Sequence, residues 1–368
     1  MARLIDITGK ALSGEWGNDD TEGTGIPVLR TTNFTNDGII NFDSVVTRSI
    51  PKKDLTQKYL RTGDIIIEKS GGSDKQPVGR VVYYDGPEST YLFNNFTGVL
   101  RVQDTSRWLP RYVFYALFAN YLQGGTRRYE NRTTGLHNLQ TDQYVADMQI
   151  IEASLAQQQE CIRLLDSVAH LIALRKQQIA KLDELVKARF VEMFGEVEFK
   201  CAISNIAECI FAGGDKPQDV SPHQSKEYPY PVYANGYEDE GLQCYARSFR
   251  VDKSAVTISA RGTIGYTFIR KPFFTPVVRL ITVVPIESVD VTYLKHAIDM
   301  MHISSSGTSQ AQLTVPDFKK MTIGIPTQEA QHQFAAFVAQ TDQQKLTIQQ
   351  SLDKLVLMKK ALMQKYFG

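Results

Sequence analysis

The chain has 368 residues, 41 Lys+Arg against 40 Asp+Glu, a net charge of +1, 42% hydrophobic residues and 22% charged residues. That length predicts about two or three domains, and that composition excludes general disorder. The neutral balance excludes a histone-like or tail-driven nucleic-acid binder, so any grip on phosphate must come from local clusters of charge.

No apolar run of about 18 residues exists, which predicts no membrane span. Met1 to Asp6 lacks the apolar core of a signal peptide. Cys161, Cys201, Cys209 and Cys244 are scattered, with no CxxC and no histidine pair at ligand spacing. Neither a zinc site nor a disulfide scaffold is expected, and the reading is a reduced, cytoplasmic protein with no cofactor and no metal.

The first segment, residues 1–150, is rich in strand signals. Apolar runs at Gly63 to Ile67, Val81 to Tyr84 and Val99 to Val102 are separated by turns such as Asp85-Gly86-Pro87. One amphipathic helix is predicted from Pro110 to Tyr121. A Gly-framed loop follows, Gly124 to Thr134, with Arg127, Arg128, Tyr129, Asn131 and Arg132.

From Ser154 to Met193 there is no Gly or Pro. Leu165, Val168, Ile172, Ile179, Leu182, Val186 and Met193 recur at steps of three, four and seven, which predicts a long helix with a coiled-coil seam. Arg175 and Arg189 interrupt that seam. A helix of roughly 40 residues is about 60 Å long.

Residues 196–325 again read as strands, at Ala255 to Ser259 and Arg279 to Val284, with one helix predicted from Val291 to Met301. A second long helix follows, entered through Pro326-Thr327. Phe334, Phe337, Thr341, Ile348, Leu355, Met358 and Leu362 form its poorer stripe. Gly195 and Gly368 suit the two helix ends.

The two long helices repeat each other at an offset of 173 residues. Gln177/Gln350, Lys181/Lys354, Leu182/Leu355, Lys187/Lys360, Ala188/Ala361, Phe194/Phe367 and Gly195/Gly368 are identical pairs. Upstream, one residue of slippage pairs Ala156-Gln157 with Ala330-Gln331, Gln159 with Gln333, and Leu139 with Leu313. Neither seam can be buried within its own helix, so the two helices are expected to bury their stripes on each other, antiparallel, because a globular segment intervenes. The fold class is therefore mixed α+β, two globular domains separated by a pair of long antiparallel coiled-coil-like helices, with an internal pseudo-twofold repeat. The expected boundaries are 1–150, 151–195, 196–325 and 326–368.

Residues 1–150 hold 17 basic and 17 acidic groups, residues 151–195 hold 6 and 6, residues 196–325 hold 13 and 14, and residues 326–368 hold 5 and 3. No segment is a polycation, so recognition of an anionic partner falls to loops. In the first segment the candidates are Arg30 and Asn33 after the Ile26-Pro27-Val28-Leu29 phrase, Ser70, Lys75 and Gln76 in a Gly-rich turn, and the arginine loop. In the second they are Asn235 and Tyr237, Arg261 and Thr263, and Ser306, Thr308 and Gln310. Arginine suits guanine, asparagine suits adenine, and Thr hydroxyls and backbone amides suit phosphate.

This organisation resembles the specificity subunits of type I restriction–modification systems, over the whole chain. The resemblance rests on the alternating globular and helical segments and the repeat. Each globular segment also opens on a Pro-Val phrase, Ile26 to Phe34 and Tyr230 to Gly236. Each continues through a strand into a Ser/Arg/Gly turn, Gly63 to Gly71 and Val256 to Gly265. The second long helix is entered through Gly324-Ile325-Pro326 and Glu329-Ala330-Gln331. The first copy departs from this, with Ile151 to Gln157 and no proline. The resemblance implies a non-catalytic DNA reader with two target-recognition domains. It implies double-stranded DNA with an asymmetric bipartite site as ligand, and two methyltransferase (modification) subunits, optionally with restriction subunits, as partners.

Catalytic machinery is not found. No methyltransferase motif, Walker loop, serine-hydrolase elbow or paired histidines at catalytic spacing appears. Glu198-Phe199-Lys200 and Pro316-Asp317-Phe318-Lys319 lack a second placed carboxylate. A combined restriction–modification polypeptide is disfavoured, since the chain starts in the first globular segment and stops at Phe367-Gly368. The alternative class is a two-lobe coiled-coil adaptor that binds protein partners rather than DNA.

Overall fold

The computed structural model describes all residues except 52–53, 134–135, 198–199, 263, 302 and 304–311, together with the side chains of residues 132, 133 and 136. The chain divides into two compact units, residues 1–174 with 351–368, and residues 175–350.

In the first unit, lobe one carries α1 (Leu4–Thr8), α2 (Pro110–Leu122) and α3 (Thr141–Asp147), and α4 (Leu155–Phe194) begins. Pro110 opens α2 where its missing N–H costs nothing. Ser154 opens α4: its Oγ accepts from Gln157 N–H at 3.3 Å while its own N–H donates to Gln157 Oε1 at 2.9 Å. A four-stranded antiparallel sheet runs in the order Leu12–Ser13, Thr97–Leu100, Ile65–Glu68, Val81–Tyr83. Ile65 and Ile67 face the α2 core, and Ile66 faces a second core with Val82 and Val99, the alternation a strand covered on both faces requires. A second sheet orders Asn18–Asp19, Val46–Ser49, Ile26–Leu29 and Leu92–Phe93, the last pair parallel. A third joins Glu130–Thr133, Leu136–Leu139 and Ser70–Gly72.

In the second unit, lobe two carries α5 (Val291–Asp299) and α6 (Val315–Lys320), and α7 (Gln328–Phe367) begins. Asp290 caps α5 by accepting from Thr292 and Tyr293 N–H. The first two sheets of lobe one recur strand for strand. One orders Ala207–Ala212, Ile281–Pro285, Ala255–Ile258 and Thr267–Arg270; the other orders Val220–Ser221, Leu242–Ala246, Tyr230–Tyr233 and Thr275–Pro276, the last pair again parallel. The strand expected from Arg279 starts at Ile281, because Val278 and Arg279 form a left-handed turn before it.

The repeat holds at single contacts. Gln158, 0% exposed, accepts from Leu109 N–H at 2.8 Å and donates to the carbonyls of Arg107 and Ala153, both at 2.9 Å. Gln331, 1% exposed, accepts from Asp290 N–H at 2.8 Å and donates to the carbonyls of Ser288 and Pro326. Each glutamine thus ties the residue before α2 or α5 to the start of a long helix. Tyr112 donates to Ile151 O at 3.0 Å, and Tyr293 to Gly324 O at 2.6 Å. Tyr112 packs on Phe367, and Tyr293 on Phe194.

These pairs correct the expected slippage. Gln158 and Gln331 are 173 apart, as are the ends of α4 and α7, so Gln331 answers to Gln158 and not to Gln157. The extra residue sits earlier, in α3, which has 7 residues where α6 has 6. The seam also shifts in the second helix. Its inward positions are Phe334, Val338, Thr341, Lys345, Ile348, Leu352 and Leu355, while Met358 is exposed. Subtracting 173 gives Cys161, Leu165, Val168 and Ile172 onward, the same 4–3 rhythm. In the first unit Cys161, Leu165 and Met363 share one core, with Leu362 packed against it. In the second, Asp183 meets Lys345, Arg189 meets Phe337 and Phe190 meets Phe334, so there the two helix segments run antiparallel. Arg189 stays in the seam by lying over the Phe337 ring, and Lys345 by pairing with Asp183 at 2.6 Å. No described helix is long and apolar enough to cross a membrane.

Candidate nucleic-acid interface

Lobe one places its candidate residues on three neighbouring segments. Arg127 and Arg128 are exposed on a single 3₁₀ turn, with Arg128 lying 4.8 Å over the Tyr129 ring. Tyr129 itself is core, edge-on to Tyr144 and donating to Asp147 at 3.3 Å. Arg128 lines an open polar cleft with Arg3, Gln140, Gln143, Asp147 and Gln149. Asn131 is exposed on the following strand, opposite Asn138, and the Arg132 side chain lies outside the described residues. Ser70 pairs with Asn138 on the other side, Lys75 is exposed, and Gln76 donates to Asn36 Oδ1 at 3.1 Å.

Two polar clusters hold these segments together. Glu130 accepts from Val78 N–H at 3.0 Å and faces His137 Nδ1 at 3.3 Å, and His137 Nε2 lies 3.8 Å from Asp74. Arg80, which sequence reasoning missed, pairs with buried Glu68 at 3.2 Å and donates to the carbonyls of Thr31 and Phe34, both at 3.0 Å. Burial pushes the Glu68 carboxyl above its ordinary value against the opposing charge of Arg80. The loop that Arg80 holds contains Arg30 and Asn33. Asn33 is 0% exposed, accepts from Arg30 N–H at 2.9 Å and donates to Asn41 O at 3.1 Å. It is a turn brace inside the lobe, and its amide is not offered to a base edge.

Lobe two gathers Asn235, Tyr237, Arg261, Tyr266 and Arg279 at one end. Asn235 Nδ2 donates to Val278 O at 2.6 Å and Oδ1 accepts from Ala260 N–H at 2.7 Å. One side chain thus joins three loops. Tyr237, 63% exposed, packs on Tyr266 at 4.9 Å between ring centroids. Arg261 donates to Gln312 Oε1 at 3.0 Å. Thr263, Ser306, Thr308 and Gln310 lie outside the described residues.

Behind Tyr237, Asp239 and Glu240 adopt left-handed backbone at φ 46° and 54°. Buried Arg270 holds that turn. It donates to Glu240 O at 2.5 Å, to Glu240 Oε2 at 3.2 Å and to Thr257 Oγ1 at 2.9 Å, with its guanidinium 3.7 Å over Tyr233. Burial lowers its pKa from the ordinary arginine value, opposed by Tyr233 and Glu240. Among the described residues no group of three or more His, Cys, Asp or Glu could hold a metal ion.

Two stretches, residues 3–184 and 200–356, match the family model of the type I restriction modification DNA specificity domain. Two Mycoplasma pneumoniae proteins named as type I specificity subunits are similar. One is 37% identical over 136 residues, 37% of this chain and 41% of that protein; the other is 32% identical over 168 residues, 46% of each. The match thus spans under half the length of these curated relatives. The fold is similar to the S subunit of a type I restriction–modification system from M. genitalium, with a TM-score of 0.60 at 14% identity over 100% of this chain and 95% of that one. It is also similar to a chain from a structure of type I R-M complex assembly and conformational transition, with a TM-score of 0.57 at 16% identity over 100% and 96%. A specificity-domain match to both halves, over a frame written twice in the same hydrogen bonds, makes the chain a member of the type I restriction–modification DNA specificity family.

Proposed function

We propose that this chain is the non-catalytic reader of a type I restriction–modification complex, in which each lobe reads one half of a split duplex site. The observation that carries this reading is a duplicated frame with unlike rims. The same glutamine and tyrosine contacts seat both lobes on the long helices, while the exposed loop residues differ, so the two half-sites differ. Arginines on short loops suit base edges and phosphates. The helix pair sets the spacer between the half-sites and docks two modification subunits, with restriction subunits as an optional addition. Support for docking comes from apolar side chains that α4 and α7 leave exposed, among them Leu185, Val191, Val356 and Leu357.

The test is a lobe exchange. Residues 196–325 are replaced by the second lobe of a relative, and the methylome of cells carrying the exchanged chain is sequenced. One half of the methylated motif should change while the other half and the spacer stay. If both halves stay unchanged, the half-site assignment is wrong. Salt separates the adaptor alternative: phosphate-dominated binding weakens steeply with ionic strength, and a flat response favours a protein partner.

A further inference from the structure

We propose that Arg279 is a base-reading residue of lobe two and that Asn235 is the positioning residue that aims it; this rests on the reading above. Val278 and Arg279 are consecutive residues in left-handed backbone, at φ 52° and 61°. Neither is glycine or asparagine, and a β-branched residue there is a genuine outlier. Such a turn persists only where its surroundings over-determine it. Here they do. Val278 N–H donates to Gly214 O at 2.8 Å, Arg279 N–H to Gly213 O at 3.0 Å, and Asn235 takes the Val278 carbonyl at 2.6 Å. Gly213 permits this approach, since a Cβ there would lie 2.7 Å from the Pro276 carbonyl carbon.

The strained turn leaves Val278 51% exposed and Arg279 exposed. The Arg279 guanidinium makes no hydrogen bond or ion pair among the described residues. It lines a concavity with Gln312, whose Oε1 is already held by Arg261. Gln312 thus borders this concavity together with Arg279 while held by Arg261, and the Arg279 side chain is a planar donor fork with no partner among the described residues. The fork fits the O6 and N7 acceptors of guanine in the major groove.

A second observation comes from lobe one. There Asn94 N–H donates to Leu29 O, as Val277 N–H donates to Tyr233 O in lobe two. Two residues further on, lobe one carries Phe96, 52% exposed, where lobe two carries Arg279. The same rim position holds an apolar side chain in one lobe and a guanidinium in the other. That is the variation expected of a position that chooses a base, and not of one that grips phosphate.

The experiment uses the full chain in cells that methylate through it, with methylome sequencing of wild type, Arg279→Gly, Arg279→Lys and Asn235→Asp. Glycine favours the left-handed backbone, so Arg279→Gly keeps the turn while removing the fork. It should relax the preference at one base of one half-site by about ten- to hundredfold, with the other half unchanged. Arg279→Lys should not restore it, because an ammonium lacks the fork. Asn235→Asp should disturb the same base although Arg279 is intact, with the melting temperature of the purified chain held within a few degrees. An unchanged motif in Arg279→Gly overturns the proposal. So does a uniform loss of methylation with the motif intact, which marks a phosphate contact. A wild-type methylome with no motif that depends on this chain overturns the reader assignment itself, and this proposal with it.

Discussion

In lobe one the loop after the Ile26–Leu29 strand is held from beneath by a buried ion pair, Arg80 with Glu68, whose arginine reaches the carbonyls of Thr31 and Phe34. In lobe two the loop after the equivalent Tyr230–Tyr233 strand is held differently. Asn235 ties it sideways to two other loops, and Arg270 comes from the far end of its strand to grip Glu240. The two arginines do not occupy matching places: Arg80 just precedes the Val81–Tyr83 strand, whereas Arg270 ends the Thr267–Arg270 strand. At the other side of each lobe the reverse holds. Gln158 and Gln331 make the same three hydrogen bonds, and Tyr112 and Tyr293 the same one. The duplicated unit is constrained at its seat and not at its rim. The seat on the long helices keeps its atoms, because two lobes must fit two helices of equal length and register. The rim keeps only its architecture, because each loop is braced by local partners that can change with it.

Removing each buried arginine should separate the two braces most clearly. Arg80→Met strands Glu68 as an uncompensated buried carboxylate and should cost about 3–5 kcal/mol. Arg270→Met leaves Glu240 largely in water, so its cost comes from the lost Glu240 carbonyl and Thr257 bonds, about 1–3 kcal/mol. Urea unfolding of the two variants checks the order. Equal losses would mean that the braces are equivalent after all. The seats should behave in the opposite way. Gln158→Leu and Gln331→Leu each leave one buried N–H unpaired, Leu109 or Asp290, and each should cost about 2 kcal/mol. Matching shifts in the unfolding midpoint support a frame used twice; a shift in one variant alone would break the equivalence.

Sequence reading reached the frame more fully than the rim, for physical reasons. The 4–3 rhythm from Leu165 to Met193 and the shared Phe-Gly endings are local, periodic signals, and the helices follow them. The register of Gln158 was not legible. Ala156-Gln157 matches Ala330-Gln331 by identity, and only the buried hydrogen bonds show that the extra residue lies upstream in α3. Asn33 and Asn235 were legible as polar residues after a strand but not as braces. Their partners come from 8 and from 25 and 43 residues away, and exist only once the loops meet. Arg279 had no local signal at all. Two adjacent left-handed residues in Pro-Val-Val-Arg have no sequence signature, so the residue reads as the start of a strand. Arg127 and Arg128 reached the surface as the Gly-framed loop suggests, while Tyr129, between an arginine and a carboxylate in sequence, turned inward to fill the core.

One matched pair of the frame differs in what it can titrate. Tyr115 in α2 and His296 in α5 follow the residue capping their helices by the same six positions. Tyr115 donates to Asp166, which also pairs with Arg111 at 2.9 Å. Among the described residues His296 pairs with no carboxylate and packs against the rings of Phe334 and Phe190 instead. Burial, with the charges of Lys295 and Lys345 adding to it, pushes the His296 pKa down to about 3. In the unfolded chain its pKa is near the ordinary 6.5. The unfolded state therefore binds this proton first as pH falls, and folding loses stability below about pH 6.5. By pH 5.5 the loss should be about 1.4 kcal/mol relative to pH 7.5. His296→Phe keeps the aromatic packing and removes the proton, so the unfolding free energy of wild type minus that of the variant should fall by that amount as pH drops from about 7.5 to about 5.5. Substituting Tyr115 with Phe should shift stability equally at both pH values, because neither form of that side chain titrates in the range. A wild-type minus His296→Phe difference that stays flat from pH 7.5 to 5.5 would show that water reaches the imidazole in lobe two as freely as in the unfolded chain.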